Sequence, residues 1–599
     1  MKKINLKDKT IAVLPFKNIS SSVENEYFSD GITEEIINAL SKIEQLNVIS
    51  RTSSFFFKNK EFTVKQITDK LNADIIIEGS VRIADNKVRI SAQLIQAADG
   101  FHFWSESWDR KLENILKIQD EISILIADKL REHLGHLDIE EHLVENKTGN
   151  EEAYNYYLKA RYHFNKWNPD DVKTSIQFYN RAIEIDPNFT DAYVGIADAY
   201  SFMATTQFMP AEIAWKKSVE FTHKAYALNP ENAGVHYLLA NLSFFTDCNF
   251  EDAYQHISKA LQLKPSYAEA QQYMAFLYVL SGDVEKARHH LQFALGLDPL
   301  NQETLFYKGY FLYHSAEFDR ALVIFEELLK KNPKNVPAFV VHAYCLLLLK
   351  RYDELLNRIE NIPKDILIPH EQLGMLCLTY ILKGDKKNAK AYLKKLETEA
   401  QKPTAFQAHS YMFLAYANLG KFDEAFDLLD RSLKMKSSVL LISYSDPLVN
   451  GLVKDKRYNE YHKKLYGHLK PQKSETKKKT LLDPETARKY ADKILHFVET
   501  EKPYLNPTIS LRDLANQLQI HPNQLSWLLN EAIGKKFNEF INHYRVEHFK
   551  ELAKNPGNAH ISIIGLAYES GFNSKTVFNT FFKKEMGITP LEYLKSLNQ

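Results

Sequence analysis

The spacing of hydrophobic positions changes twice along the chain and divides it into three segments. In the first, residues 8–135, short Val- and Ile-rich runs alternate with stretches whose apolar positions recur every three or four residues. The runs Thr10–Phe16, Leu46–Ser50, Asp74–Ile83 and Lys87–Gln96 predict strands. Phe28–Ile43 and Val64–Asn72 predict helices between them, and a long amphipathic stretch, Leu112–His133, closes the segment. Thr33 is placed to cap a helix, with Glu34 and Glu35 near its positive end. Asp85-Asn86, between two alternating runs, predicts a hairpin turn. Strands alternating with helices predict a compact α/β domain.

The second segment, residues 151–468, is periodic. Pro265, Pro299 and Pro333 recur every 34 residues, and five positions before them stand Ala260, Ala294 and Leu328. Ala253, Ala287 and Ala321 keep the same spacing. Pro187 with Ala182 and Pro230 with Ala225 extend the series backward, but they lie 43 apart, which implies an insertion near Ser201–Pro210. Gly384 with Ala389, and Gly420 with Ala425, reproduce the spacing of Gly282 with Ala287. Such a period suits two helices per repeat, crossing closely at small residues, with Pro ending the second helix. The pattern resembles the tetratricopeptide repeat and implies an all-α solenoid. Pro363 and Pro369 mark a degenerate repeat, and Ser437–His468 reads as a capping piece.

Residues 469–480, with Pro471-Gln-Lys-Ser-Glu-Thr-Lys-Lys-Lys479, are polar and charged and read as a solvated linker. The third segment, 481–599, is helical by periodicity and contains two short helix–turn–helix patterns. In the first, apolar Leu511, Leu514, Ala515 and Leu518 mark a scaffold helix, Gln519–His521 a turn, and Pro522 the start of a second helix reaching Ile533. In the second, Ile561–Tyr568 is the scaffold helix and Glu569–Phe572 the turn. Asn573 then reads as an N-cap for a helix over Ser574–Met586. A helix over Asn538–Lys554 joins the two patterns.

The second pattern carries Ile561, Ile564, Ala567-Tyr-Glu-Ser-Gly-Phe-Asn-Ser-Lys575, Phe578, Phe582 and the ending Gly587-Ile-Thr-Pro590 with Tyr593. The first supplies Leu514-Ala515, Leu525-Ser526, Gly534, Phe540 and Arg545. Together they resemble the AraC-type DNA-binding domain. The resemblance implies two reading helices held apart by the joining helix, each entering one of two successive major grooves of double-stranded DNA. It assigns Asn523, Gln524, Ser526, Trp527 and Asn530 to the first reading helix. To the second it assigns Ser574, Lys575, Thr576, Asn579, Thr580 and Lys583. Asn and Gln suit adenine, Lys suits guanine or phosphate, and Thr can meet the thymine methyl group. Positions 527 and 580, often Arg in that family, are Trp and Thr here, which removes two strong contacts.

The first segment has a likeness of its own. Ile11-Ala-Val-Leu-Pro-Phe16, Phe28-Ser-Asp-Gly-Ile-Thr-Glu-Glu35, Ser50-Arg-Thr-Ser53, Glu78-Gly-Ser80 and Trp104-x3-Trp108-Asp-Arg110 resemble the TolB-like domain of bacterial regulators. That implies a regulatory role without defining a ligand.

Charge adds little at the level of the whole chain. Lys and Arg number 76, and so do Asp and Glu, so the formal net charge of the 599 residues is zero. This excludes a uniformly basic nucleic-acid coat and an acidic tail, but a sum conceals local excess. Residues 476–599 hold 17 Lys and Arg against 13 Asp and Glu, an excess of +4. Three cysteines, Cys248, Cys345 and Cys377, build no disulfide framework and no zinc site. The start MKKINLKDKTIAVLPF has no long apolar region, and no apolar run approaches a membrane span, so the expected location is cytoplasmic.

No GxSxG, HExxH, Walker or Rossmann fingerprint is present, so neither catalytic residues nor a cofactor is assigned. Asp30–Glu35 reads as a helix cap in preference to a phosphate loop, and Arg51–Ser54 as a polar turn. His289-His290, and His133 with His136, read as exposed helix histidines and no metal is assigned. Tyr154, Tyr157, Phe178, Tyr179 and Phe325 read as repeat core, with a minority of such aromatics on the concave face. The expectation is a bacterial DNA-binding transcription regulator whose repeats and α/β domain sense a signal, a protein or peptide, or a second copy. The alternative is a repeat scaffold for protein interaction with a degenerate DNA-binding domain.

Overall fold

A computed structural model of the chain describes residues 9–22, 25–84, 87–111, 115–144, 147–166, 169–205, 209–362, 369–402, 405–449, 451–467 and 481–597. The Asp85-Asn86 turn, Pro363 and the linker over 469–480 lie outside the described residues. The chain forms two compact units, each discontinuous in sequence. One takes Met1–Ile37, Asn47–Asn114 and Asn146–Ser474; the other takes Asn38–Leu46, Ile115–Glu145 and Glu475–Gln599. The helix that closes the first predicted segment thus falls in the unit of the C-terminal segment.

The N-terminal region contains strands β1 (Lys9–Val13), β2 (Lys17–Asn18), β3 (Leu46–Val48), β4 (Ile75–Ala84), β5 (Lys87–Gln96) and β6 (His102–Lys111). Its helices are α1 (Glu26–Ser41), α2 (Arg51–Phe55), α3 (Val64–Leu71) and α4 (Ile115–Leu134). The sheet order is β3-β1-β4-β5-β6, with β2 also paired to β4. β1 and β4 run parallel with Ile11 opposite Ile75, and β4, β5 and β6 form an antiparallel meander. β6 was not predicted: its sequence HFWSESWDRK alternates weakly, and only Trp108 along it is buried.

Several local readings are corrected. Thr33 is inside α1, where its hydroxyl donates to Ser29 O (2.8 Å) and accepts from Phe16 N (3.0 Å). Glu34 and Glu35 are therefore not at a helix start. Glu34 pairs with Arg161 and Arg51, and Glu35 with Lys147 at 2.9 Å. Burial alone would raise the Glu34 carboxyl, but the two guanidinia hold it at about 2. Arg51–Ser54 is the body of α2, and the Ser53 amide donates to Asp298 (3.0 Å), joining α2 to the repeat region.

The solenoid follows the predicted spacing. Helices end at Ile185, Leu228, Leu263, Leu297 and Lys331, two residues before Pro187, Pro230, Pro265, Pro299 and Pro333. Ala182, Ala225, Ala253, Ala260, Ala287, Ala294 and Ala321 are fully buried where helices cross. Gly282, Gly384 and Gly420 take left-handed φ values of 77°, 78° and 73° between paired helices. The 43-residue interval contains helices of 16 and 18 residues, Thr190–Thr205 and Ala211–Leu228, against 13 and 14 in the next pair, so longer helices take up much of the insertion. Tyr154, Tyr157, Tyr179 and Phe325 are buried and Phe178 is half-buried. His290 is also buried: it contacts Gln271 Oε1 at 2.6 Å, and burial pulls its pKa down to about 4. His289 is exposed, and His133 and His136 are half-buried. No group of three or more metal-ligating side chains occurs among the described residues.

The piece after Ser437 folds back on earlier repeats. Tyr466 meets Phe250 edge-on at 4.7 Å, Ser445 Oγ donates to Leu280 O (2.8 Å), and Tyr313 Oη donates to Asp446 Oδ1 (2.7 Å). Asp446 is 4% exposed, and burial lifts its carboxyl from 3.8 to about 7. Between those values the folded protein keeps a proton that the unfolded chain has released. Stability from this group therefore falls as pH rises through that window. Asp446→Asn has no proton to lose. Its unfolding free energy should decline less than that of the parent between pH 5 and pH 8, by at most roughly 3 kcal/mol, measurable by calorimetry.

Candidate nucleic-acid interface

The C-terminal part of the second unit is built from capped helices. Asp483 caps Pro484–Glu501 by accepting from the Glu485 and Thr486 amides. Ser510 and Asp513 form a capping box at the start of the first scaffold helix, Leu511–Leu518. Gln519 ends that helix at a left-handed φ of 57°, and His521 caps the first reading helix, Pro522–Trp527. The reading helix continues as a π-helical stretch, Leu528–Ile533, that stops at Gly534. The joining helix spans Phe537–Lys554, one residue earlier than predicted.

Ile563–Glu569 is the second scaffold helix and Lys575–Met586 the second reading helix. Its cap is Ser574, whose Oγ accepts from Val577 N, and not Asn573. The Asn573 amide instead donates to Pro507 O (3.3 Å). Behind the helix, Phe549, Phe572, Phe578, Phe582 and Tyr593 form an aromatic core, with Phe549 and Phe578 centred 4.8 Å apart.

Arg545 on the joining helix is buried without a carboxylate. It donates to Tyr504 O (2.8 Å), Asn506 O (2.9 Å) and Asn542 Oδ1 (3.2 Å), and burial lowers its pKa to about 10. Gly571 is folded against the same place. A Cβ there would fall 2.2 Å from Tyr504 O, and its φ is +92°. Glycine is required both by space and by backbone conformation.

The two reading helices differ in what they expose. On the second, Lys575, Thr576, Thr580 and Lys583 are exposed and Asn579 is half-buried, while Ser574 serves as the cap. On the first, Ser526 is 1% exposed with its hydroxyl buried, so it is withdrawn from the reading face. Trp527 packs on the apolar core, and the Asn530 side-chain amide donates to Ser526 O (2.7 Å). The Gln524 side chain accepts from His521 N.

Asn523 is engaged by α4 and the irregular segment after it. Its Oδ1 accepts from Arg131 Nη1 (2.7 Å), and its Nδ2 donates to Ile139 O (3.2 Å). Around this contact Arg512 Nε pairs with Asp128 at 2.8 Å, and Glu132 accepts from the Leu511 amide (2.9 Å). Arg131 is 1% exposed and also pairs with Asp128. Burial lowers its pKa and raises that of Glu132. Gly135 lies against the Asn530 amide, since a Cβ there would come 2.9 Å from its Oδ1. These partners escaped sequence reading. Their one trace is that Asp128, Arg131 and Glu132 share a face of α4 at helical spacing.

Comparisons agree with this architecture. A helix-turn-helix domain model matches residues 514–596, and a tetratricopeptide repeat model matches 277–336. The model of a HilA/YgeH-like transcriptional regulator, second domain, matches residues 7–125, where the motifs pointed to a TolB-like domain. A Rhizobium meliloti protein bearing the name adenylate cyclase 3 is 38% identical over 200 residues, 33% of each chain. The TCP pilus virulence regulatory protein of Vibrio cholerae is 41% identical over 64 residues, 11% of this chain and 22% of its own. The chain thus spans a third or less of the length of these relatives. A solved tetratricopeptide repeat protein from Parabacteroides merdae is 14% identical, covering 42% of this chain and 93% of its own, with a TM-score of 0.29. The helix-turn-helix and regulator-domain models and the Vibrio cholerae relative support DNA-binding transcription regulation, and the repeat model supports helical repeats. Among the described residues no helix is long and apolar enough to cross a membrane.

Gly571→Ala should destabilise the second helix–turn–helix by about 2 kcal/mol or more, because it combines a left-handed φ with a backbone collision. Denaturant unfolding would show the loss; an unchanged midpoint would contradict the packing described.

Proposed function

We propose that the chain is a sequence-specific, AraC-type transcription regulator. The observation that carries this reading is the second reading helix. It is fixed by the Ser574 cap, by Gly571 and by the Phe549–Phe578–Phe582 core, and it presents Lys575, Thr576, Thr580 and Lys583 to solvent. Lysine at the start of such a helix can reach guanine or phosphate, while Thr576 and Thr580 suit thymine methyl groups. The TolB-like motifs and the repeats support a sensing role for the other unit.

In the arrangement described, α4 holds the first reading helix through Asn523, so the second reads DNA first. Binding across two successive grooves then requires release of Asn523. A signal acts by favouring that released state, and it shifts the population only as far as its affinities for the two states differ.

Selection of bound sequences from random double-stranded DNA with the full chain should enrich a motif one groove wide. Lys575→Ala should weaken binding to it by about 1–3 kcal/mol. No enrichment at low salt would overturn the function. A second measurement tests the hold on Asn523. Arg131→Met keeps an apolar stem but removes the shorter of the two bonds donated to Asn523 Oδ1, the other coming from Ile139 N (3.4 Å), and the enriched motif should widen to two grooves; an unchanged motif would overturn the proposed release.

A further inference from the structure

A cavity of about 120 Å³ lies in the first unit, between the repeat helices and the piece that folds back on them. It is lined by Tyr310, Tyr344 and Tyr411, by Glu371 and Asp446, by the neutral polar side chains of Gln407, Ser410 and Ser443, and by valine and isoleucine side chains. Tyr344 and Tyr411 meet edge-on, with centroids 6.2 Å apart and planes at 81°. Gly374 makes room for this wall, because a Cβ there would strike the Tyr411 ring at 2.0 Å.

The polar inventory is unbalanced. Glu371 accepts from the Tyr411 hydroxyl, and Asp446 accepts from Tyr313 Oη and the Leu448 amide at 2.8 Å. Among the described residues, no lysine or arginine is paired with either carboxylate. The Tyr310 hydroxyl, on a residue 5% exposed, is buried with no hydrogen-bond partner. Asp446 is buried and Glu371 half-buried; a buried carboxyl group without a counter-charge is costly, and so is a buried hydroxyl without a partner. Tyrosine faces are negative and attract organic cations, as in aromatic cages for ammonium groups. A void of this size holds a molecule of about six heavy atoms, since a comparable engineered cavity accepts benzene.

We propose that this cavity binds a small organic ammonium ion, its charged nitrogen between Glu371 and Asp446 and its carbons against Tyr310, Tyr344 and Tyr411. The site gives the sensing region a chemical class of signal. It rests on the cavity alone, so its test reads binding to the protein and not to DNA.

The full chain is titrated with choline, with butylammonium and with the uncharged choline isostere 3,3-dimethylbutan-1-ol, following heat of binding and thermal midpoint. At least one ammonium ion should bind saturably and raise the midpoint, and the alcohol should do neither. Glu371→Gln should weaken that binding about tenfold or more. Asp446→Asn, which removes the other negative charge, should weaken it likewise and gives a second reading should the first variant not fold. The proposal is overturned if no ammonium ion binds at concentrations up to about 10 mM, or if the alcohol binds equally well. It is also overturned if the folded variants bind as the parent does.

Discussion

One helix, Phe537–Lys554, serves two hydrophobic cores, and the geometry of both helix–turn–helix units depends on it. Phe537, Phe540 and Ile541 belong to the core around the first helix–turn–helix; Val546 and Phe549 belong to the core around the second. An 18-residue helix is about 27 Å long at 1.5 Å per residue, a stiff spacer between the two cores. Arg545 stands where they meet and ties the helix to the backbone at Tyr504 and Asn506. A lysine could not replace it, because a single ammonium group lacks the planar fork that reaches three acceptors at once.

Four charges in this unit, all but Arg512 buried, act as specific fasteners. Arg131, Asp128, Arg512 and Glu132 connect α4 to the first scaffold and reading helices through directional bonds, each lost if the pieces slide. Such a set adds little net stability after desolvation, yet breaking it piecemeal is expensive. It therefore favours two discrete states, attached and detached. The contrast with the second reading helix, whose lysines and threonines remain in solvent, follows from which helix these fasteners reach.

Patterns carried by neighbouring residues were legible in the sequence. The 34-residue period located the helix ends beside Pro265, Pro299 and Pro333, and the Gly571-Phe572 turn marked the second reading helix. Where several polar residues could cap, local reading chose wrongly. Thr33 is inside α1 because the helix begins at Glu26, and Ser574 caps in place of Asn573 because its hydroxyl reaches Val577 N. What was illegible depends on distance along the chain. Nothing local distinguishes Glu34 at a helix start from Glu34 between two arginines, or an exposed Asn523 from one bound by Arg131. The cavity was equally hidden, since Tyr310, Glu371, Tyr411 and Asp446 come from four separate helices and turns.

The bond between Arg131 and Asn523 joins positions 392 residues apart. On a ribosome adding about 5–20 residues per second, α4 emerges some 20–80 s before its partner exists. For that interval Asp128, Arg131 and Glu132 have only water and neighbours on α4 itself to bond with. The charges that make α4 a poor apolar surface also keep it soluble while it waits. The unit to which α4 belongs is thus completed only after the repeats have been made, and a nascent chain stalled anywhere in the repeats carries α4 without the helices it binds.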